Sequence, residues 1–302
     1  MTLSVICASI GRSSLIHLVP ELLSADFVDE FLLVLPPNFS FNPFLYSLTL
    51  QTDKRFIILN ASSKGQVNQR VFGVRHASGS ALLFIDDDIF LSVDDLRILY
   101  TDFILQPSHV VLAPRIKFTD PAGSICRNSN LSIIFLNLIS YFDRIISLGM
   151  ARHGFSFCYF HEPHNFKSGL NGLIPVNWIP GGCIMMSAIY SPNESYYSFI
   201  GKSYSEDIYL SYYLKSLGCS LFLHPFSSCT TPYPQIAYDY NYRQFAILSI
   251  FLLANANSLI QLIFTVISIP VNLFFSLITF YFVRIFHIIN YFFVRIGFKR
   301  WS

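Results

Sequence analysis

The chain has 302 residues, 53% of them hydrophobic and only 13% charged, with a formal net charge of +2. A soluble domain is usually about 25% charged, so part of this chain is expected to lie out of water. The near-neutral balance, with no Lys/Arg-rich run, argues against nucleic acid as a partner. The length suits one domain of ordinary size with an appendage.

The first residues, MTLSVICASIGR, read as a strand that starts at once, without the basic and apolar regions of a secretory signal. The domain is therefore expected on the cytoplasmic side. LSVICAS, EFLLVL, RFIIL and ALLFI are short apolar runs suited to buried strands, with helix-like spacing between them at Ser13 to Leu23 and Gln66 to His76. This alternation predicts an α/β layer structure with a mostly parallel sheet. Six cysteines (Cys7, Cys126, Cys158, Cys183, Cys219, Cys229) form no CxxC pair. Reduced thiols are expected, rather than a zinc site or a disulfide framework.

ALLFI runs directly into Asp86, Asp87 and Asp88. Adjacent carboxylates repel one another unless water, a donor or a cation takes up the charge. At the carboxyl end of a strand in a parallel sheet they stand where ligands bind. Hard oxygen ligands in a short cluster suit Mg²⁺ or Mn²⁺ facing a phosphate. The helix before that strand carries Arg70 and Arg75, and Lys64 precedes it. Lys64 and Arg70 are two cations placed to face a diphosphate. Gly65, Gly73 and Gly79 permit tight turns and close packing.

Further along, Leu131 to Leu148 is an apolar stretch with a polar stripe (Asn137, Ser140, Arg144, Ser147), suited to a core or to a membrane surface. Arg152 to Asn177 reads as an acceptor loop. Its HEPH stretch, His161 to His164, lacks the spacing of a helical zinc site. WIPGGCIMMS (178 to 187) sets paired glycines before an apolar strand, so that backbone can approach a ligand. Trp178 is an aromatic surface on which a sugar can stack. In YSEDIYLSYYLKSLG, Ser205 is a candidate N-cap, with Glu206 and Asp207 in the first turn of a helix.

From Gln244 to Val283 there is no charged residue, roughly twice the ~20 residues that span a bilayer as one helix. Positive charge on both sides (Arg243; Arg284, Arg295, Lys299, Arg300) suits a hairpin, or one span with a surface helix. The expected organisation is a domain over 1–240 and a hydrophobic, membrane-associated helical tail over 241–302.

Three segments in this order resemble glycosyltransferase family 2, the inverting GT-A fold. Residues 62 to 88 are similar to its G-x-s-x-a-R-n-x-G…D-x-D signature, with Gly65, Arg70, Gly73, Gly79, Asp86 and Asp88 at matching positions. SEDIYLSYYLKSLG resembles the family's ED helix, with Gly218 as its later glycine. The resemblance covers about residues 3 to 232. It implies a Rossmann-like GT-A domain that moves a sugar from a nucleotide-diphosphate sugar, most often of uridine, to a glycan or lipid-linked acceptor. It implies Asp86 and Asp88 as the DxD acids with Mn²⁺ or Mg²⁺, Asp87 at the donor, Asp207 as general base and Glu206 as its orienting partner. Gly181, Gly182 and Trp178 would face the acceptor sugar.

The sequence departs from the pattern at three places, one of them Ser187, which stands where the family often has arginine. Pro36 and Pro37 stand where the family has acids that help hold the base, which turns attention to Ala8, Ser9 and Arg12. The histidine that often follows the last strand falls near Thr230 or Thr231, with His224 several residues earlier. These departures leave open a non-catalytic, membrane-anchored scaffold; a polyprenyl-phosphate sugar synthase is a further alternative, since some members of the family it resembles also carry C-terminal membrane helices.

Overall fold

The computed structural model describes residues 1–39, 55–119, 172–176, 179–196 and 206–232. Outside the described residues lie Trp178, Ser205, the stretch 131–148, most of the loop 152–177 and the whole tail 241–302.

The described chain runs β1 (Leu3–Ala8), α1 (Leu15–Leu23), β2 (Val28–Leu35), β3 (Phe56–Asn60), α2 (Gln66–His76), β4 (Ala81–Asp86), β5 (Phe90–Leu91), α3 (Val93–Ile104), β6 (Val110–Thr119), β7 (Ile174–Pro175), β8 (Cys183–Ser187), a 3-10 turn (Ala188–Tyr190), α4 (Glu206–Ser216) and β9 (Ser220–Pro232). Continuous apolar runs make strands covered on both faces, and every residue of β1 is buried. In α1 the buried residues Leu15, Leu18, Val19 and Leu22 recur at helical spacing and form one core-facing stripe. Arg55 then ties down the turn into β2, donating to the carbonyls of Leu23, Ala25 and Val28. A cation on orphan carbonyls at a helix end satisfies acceptors that the helix leaves unpaired.

Among the described residues the sheet has the order β3-β2-β1-β4-β8-β6-β9-β5, with β7 beside β9. Strands β3, β2, β1 and β4 are parallel, and so are β6 and β9. Strand β8 runs antiparallel between β4 and β6, and β5 and β7 are antiparallel to β9. The expectation of a mostly parallel sheet is thus corrected to a mixed one. The direction of β8 has a consequence: its first residues meet the carboxyl end of β4, Cys183 opposite Ile85. A strand parallel to β4 would deliver the paired glycines to the far edge of the sheet. Strand β3 is also corrected: it lies at the sheet edge with a half-exposed pattern rather than in the core.

Buried Glu30 accepts from Ser4 Oγ at 2.5 Å and from the Ser78 backbone N–H at 2.6 Å, pinning the start of β1 to the turn before β4. Ser92 caps α3 by accepting from the Asp95 N–H at 3.1 Å, and Asp95 Oδ1 in turn accepts from the Ser228 N–H at 2.6 Å. The four described cysteines, Cys7, Cys183, Cys219 and Cys229, are buried free thiols. Among the described residues no helix is long and apolar enough to cross a membrane.

Helix α2 lies close on the sheet because Gly73 has no side chain. A Cβ there would stand 2.5 Å from Ile6 Cγ2 and 3.0 Å from Val34 Cγ2. Gly73→Val is expected to lift α2 and destabilise the fold by about 1–3 kcal/mol, as overpacking does. A urea midpoint lowered with an unchanged slope checks this.

Candidate active site

The chain leaves β1 toward β2 on one side and returns through β4 on the other, so a crevice opens at the carboxyl ends of β1 and β4. A cleft of 460 Å³ lies there, lined by Ala8, Ser9, Ile10, Arg12, Pro36, Lys64, Gly65, Gln66, Gln69, Asp86, Asp87 and Asp88. That volume suits a small-molecule ligand. Seven of the residues singled out from sequence (Ala8, Ser9, Arg12, Lys64, Asp86, Asp87, Asp88) share this one cleft.

The three aspartates have different surroundings. Asp87 is buried; its Oδ2 accepts from Ser9 Oγ at 2.5 Å and its Oδ1 from Arg12 Nη1 at 3.0 Å. Burial pushes its carboxyl pKa up, and these donors and the Arg12 charge oppose the rise. Asp88 is half-exposed and pairs with Arg12, so one guanidinium bridges two neighbouring acids. Those acids hold the Arg12 pKa above its ordinary value against partial burial, which acts to lower it. Asp86 Oδ1 accepts from Gln66 Nε2 at 2.6 Å and from Arg70 Nη2 at 2.7 Å. Burial raises the Asp86 carboxyl to about 6, with the Arg70 charge pulling the other way.

Arg70 takes a different place from the one expected of it. It does not line the cleft facing a diphosphate; its side chain is 0% exposed and stands behind the aspartates. Nη1 donates to Glu206 Oε1 at 2.6 Å, and Nη2 donates to both Asp86 Oδ1 and the Gly181 carbonyl at 2.7 Å. The guanidinium also lies 5.8 Å from the centre of the Phe84 ring. Burial acts to lower its pKa, and the carboxylates of Glu206 and Asp86 outweigh that and hold it well above the usual range. Arg70 is a charged joint between the end of β4, the start of β8 and the start of α4.

Glu206 is buried, and its second oxygen accepts from Tyr196 Oη at 2.9 Å. Burial, then the Glu206 charge, raises the Tyr196 phenol well above its ordinary value. Asp207 is half-buried beside it. The paired glycines make this approach possible: a Cβ on Gly181 would stand 2.5 Å from Glu206 Oε1 and 3.1 Å from Asp207 Cβ. One on Gly182 would stand 2.4 Å from Ile89 Cδ1 and 3.4 Å from Asp86 Oδ2. The backbone here approaches the carboxylates more closely than a side chain would allow.

His224 is accounted for by the fold. It lies inside β9, 1% exposed, with Nε2 2.7 Å from Asp102 Oδ2 and Nδ1 accepting the Ser227 N–H at 2.9 Å. An accepting Nδ1 leaves the ring proton on Nε2, donated to Asp102. Both nitrogens are thereby committed, and the residue serves β9 rather than a metal. Thr230 and Thr231 continue the same strand.

Among the described residues no group of three or more His, Cys, Asp or Glu side chains is arranged to hold a metal ion. The donors present still fit Mg²⁺ or Mn²⁺. Asp86 and Asp88 line the cleft with hard oxygens, and such ions take one or two carboxylates with waters and substrate phosphates. Residues not foreseen from sequence are Gln66, Gln69 and Tyr196. Gln66 and Gln69 stand one turn apart on the helix that carries Arg70, a spacing visible in the sequence. Tyr196 lies in an irregular segment, and nothing in its local sequence marks it.

Residues 46–163 match the family model described as Glycosyl transferase family 2. Among solved structures the fold resembles GalNAc-T7 with UDP, GalNAc and Mn²⁺, with a TM-score of 0.53 at 14% identity over 77% of this chain. Staphylococcus aureus TarS 1–349 aligns with a TM-score of 0.49 at 17% identity over 83% of this chain, and its complex with UDP-GlcNAc at 0.47 and 16% over the same share. The chain spans 44% of the GalNAc-T7 chain, and 66% and 67% of these two TarS chains. No protein of curated function matches in sequence. The segment that matches glycosyltransferase family 2 contains the Asp86–Asp88 cluster, and the α/β sheet around it has the GT-A kind of fold, like that of GalNAc-T7.

Proposed function

We propose that this domain transfers a sugar, with inversion, from a nucleotide-diphosphate sugar to a hydroxyl of a glycan or lipid-linked acceptor. The observation that carries the reading is the Arg70 joint. It holds the aspartate cluster at the donor cleft and the Glu206–Asp207 pair in one site, although Arg70 and Glu206 are 136 residues apart in sequence. A fold alone has no need of two acidic motifs meeting at a polar cleft. A uridine donor is favoured because GalNAc-T7 was solved with UDP.

Inverting transfer is a single in-line displacement at the anomeric carbon, and it needs one carboxylate to take the acceptor proton. Asp207 is assigned that role. Glu206, held at both oxygens by Arg70 and Tyr196, fixes the first turn of α4 and with it the base. Lys64 and Arg12 line the cleft as cations for the diphosphate. A divalent ion, Mn²⁺ or Mg²⁺, held through Asp88 and Asp86 would neutralise charge on the departing nucleoside diphosphate. Gly181 and Gly182 form the wall on the acceptor side. The uncharged run 244–283 would keep the site beside a membrane, with the domain on its cytoplasmic face and a lipid-linked acceptor within reach.

Calorimetry on detergent-solubilised protein is expected to detect UDP binding that strengthens with Mn²⁺ and weakens at least about tenfold in Asp88→Ala. Folded protein that binds no nucleoside diphosphate, with or without metal, would sink the reading. Asp207→Asn is expected to lower the transfer rate by about 10²–10⁴-fold with donor binding retained. Near-normal transfer would mark an acceptor that brings its own ionised oxygen, such as a lipid phosphate. Arg70→Met leaves Glu206 and Asp86 buried without their cation, so a loss of about 3–5 kcal/mol in stability is expected from denaturant unfolding.

A further inference from the structure

We infer that Gln69 reads the base of the donor nucleotide, selecting an imide N–H, as in uracil or thymine, over the ring nitrogen of cytosine. The inference rests on the donor cleft proposed above and names the residue that sets its specificity. Gln69 projects from α2 toward the carboxyl ends of β1 and β2. It is 4% exposed and forms part of the cleft wall with Ala8, Ser9 and Pro36. Its Nε2 donates to the Ser9 carbonyl at 2.8 Å and to the Val34 carbonyl at 2.6 Å.

Those two bonds use both amide hydrogens and fix which way the amide is turned, since an oxygen facing two carbonyls would be repelled. What the amide can still offer is its carbonyl oxygen, an acceptor locked in place. The other polar groups near it are engaged. Ser9 Oγ donates to Asp87 and accepts from the Gly11 N–H, and Arg12 is held by Asp87 and Asp88. Pro36 supplies apolar wall and no side-chain acceptor at the end of β2. A neutral acceptor that cannot rotate pairs with the N3–H of uracil and opposes the N3 lone pair of cytosine, and the two bases have the same size. Sites that use a fixed hydrogen-bonding group reject the mismatched ligand strongly, because the mismatch leaves a desolvated polar group unpaired.

The test is binding of UDP, TDP and CDP to the full chain with Mn²⁺. In the unaltered protein UDP and TDP are expected to bind about tenfold or more tightly than CDP. Gln69→Lys keeps donors for the Ser9 and Val34 carbonyls and removes the acceptor, and Gln69→Met removes both. In each, the UDP-to-CDP ratio is expected to fall toward one. A purely structural role for Gln69 would weaken all three nucleotides together and leave the ratio intact, which would overturn the inference. N3-methyl-UDP, which lacks the imide hydrogen, should bind the unaltered protein no better than CDP does; binding equal to that of UDP would overturn the inference without any variant. Failure of every nucleotide to bind would remove the donor cleft and this inference together.

Discussion

Arg70 is a full positive charge with no exposed surface, and the geometry of the site is arranged around that fact. Removing a guanidinium from water costs several kcal/mol, and only close, well-aligned carboxylates and carbonyls offset it. Asp86, Glu206 and the Gly181 carbonyl do so at 2.6–2.7 Å. Each comes from a different element, so the end of β4, the start of β8 and the first turn of α4 are held together by one electrostatic requirement. The Nε of Arg70 has no partner among the described residues, which leaves the two terminal nitrogens to carry the whole arrangement. Such a pairing adds little net stability over an apolar replacement of the same shape; what it supplies is position.

The remaining charges divide between the same two tasks. Arg55 and Glu30 satisfy backbone and hydroxyl groups away from the cleft and fix the turns that set strand register. Arg12 bridges Asp87 and Asp88 at the cleft mouth, where its charge is partly in water and is correspondingly weaker as a structural tie. The aspartate cluster therefore contains one acid turned toward the joint, one buried in the β1 loop and one facing solvent. Three neighbouring carboxylates coexist because each accepts from a donor, Arg12 being shared by Asp87 and Asp88, which offsets the repulsion that their adjacency in sequence raises.

Much of the first half of the domain was legible from hydrophobic pattern. β1, β2 and β4 are continuous apolar runs, and α2 spans Gln66 to His76 as its spacing predicts. The pattern also led astray at β3, where RFIIL lies at an edge. Apolar runs of that length report strand character, and burial on two faces depends on neighbours the sequence does not name. Strands β6 and β9 went unmarked by pattern, because Thr and Pro interrupt their apolar positions; helix α3 went unmarked although Leu96, Leu99, Tyr100 and Phe103 recur at helical spacing behind the Ser92 cap.

Local sequence thus settled element type, the acidic clusters and the glycines that permit close approach, since each follows from short-range sterics and charge. Folding settled which of those residues face the ligand. Arg70 and Lys64 looked alike as cations near a diphosphate, yet one lies behind the site and the other lines it. His224 read as a strand-end histidine, and the fold makes it a buried partner of Asp102. Gln69 was marked only by its spacing from Gln66, and two carbonyls, from the ends of β1 and β2, turned its amide. In each case the difference arises from contacts between strands and helices distant in sequence, which decide desolvation and hydrogen-bond direction, and no local pattern encodes either.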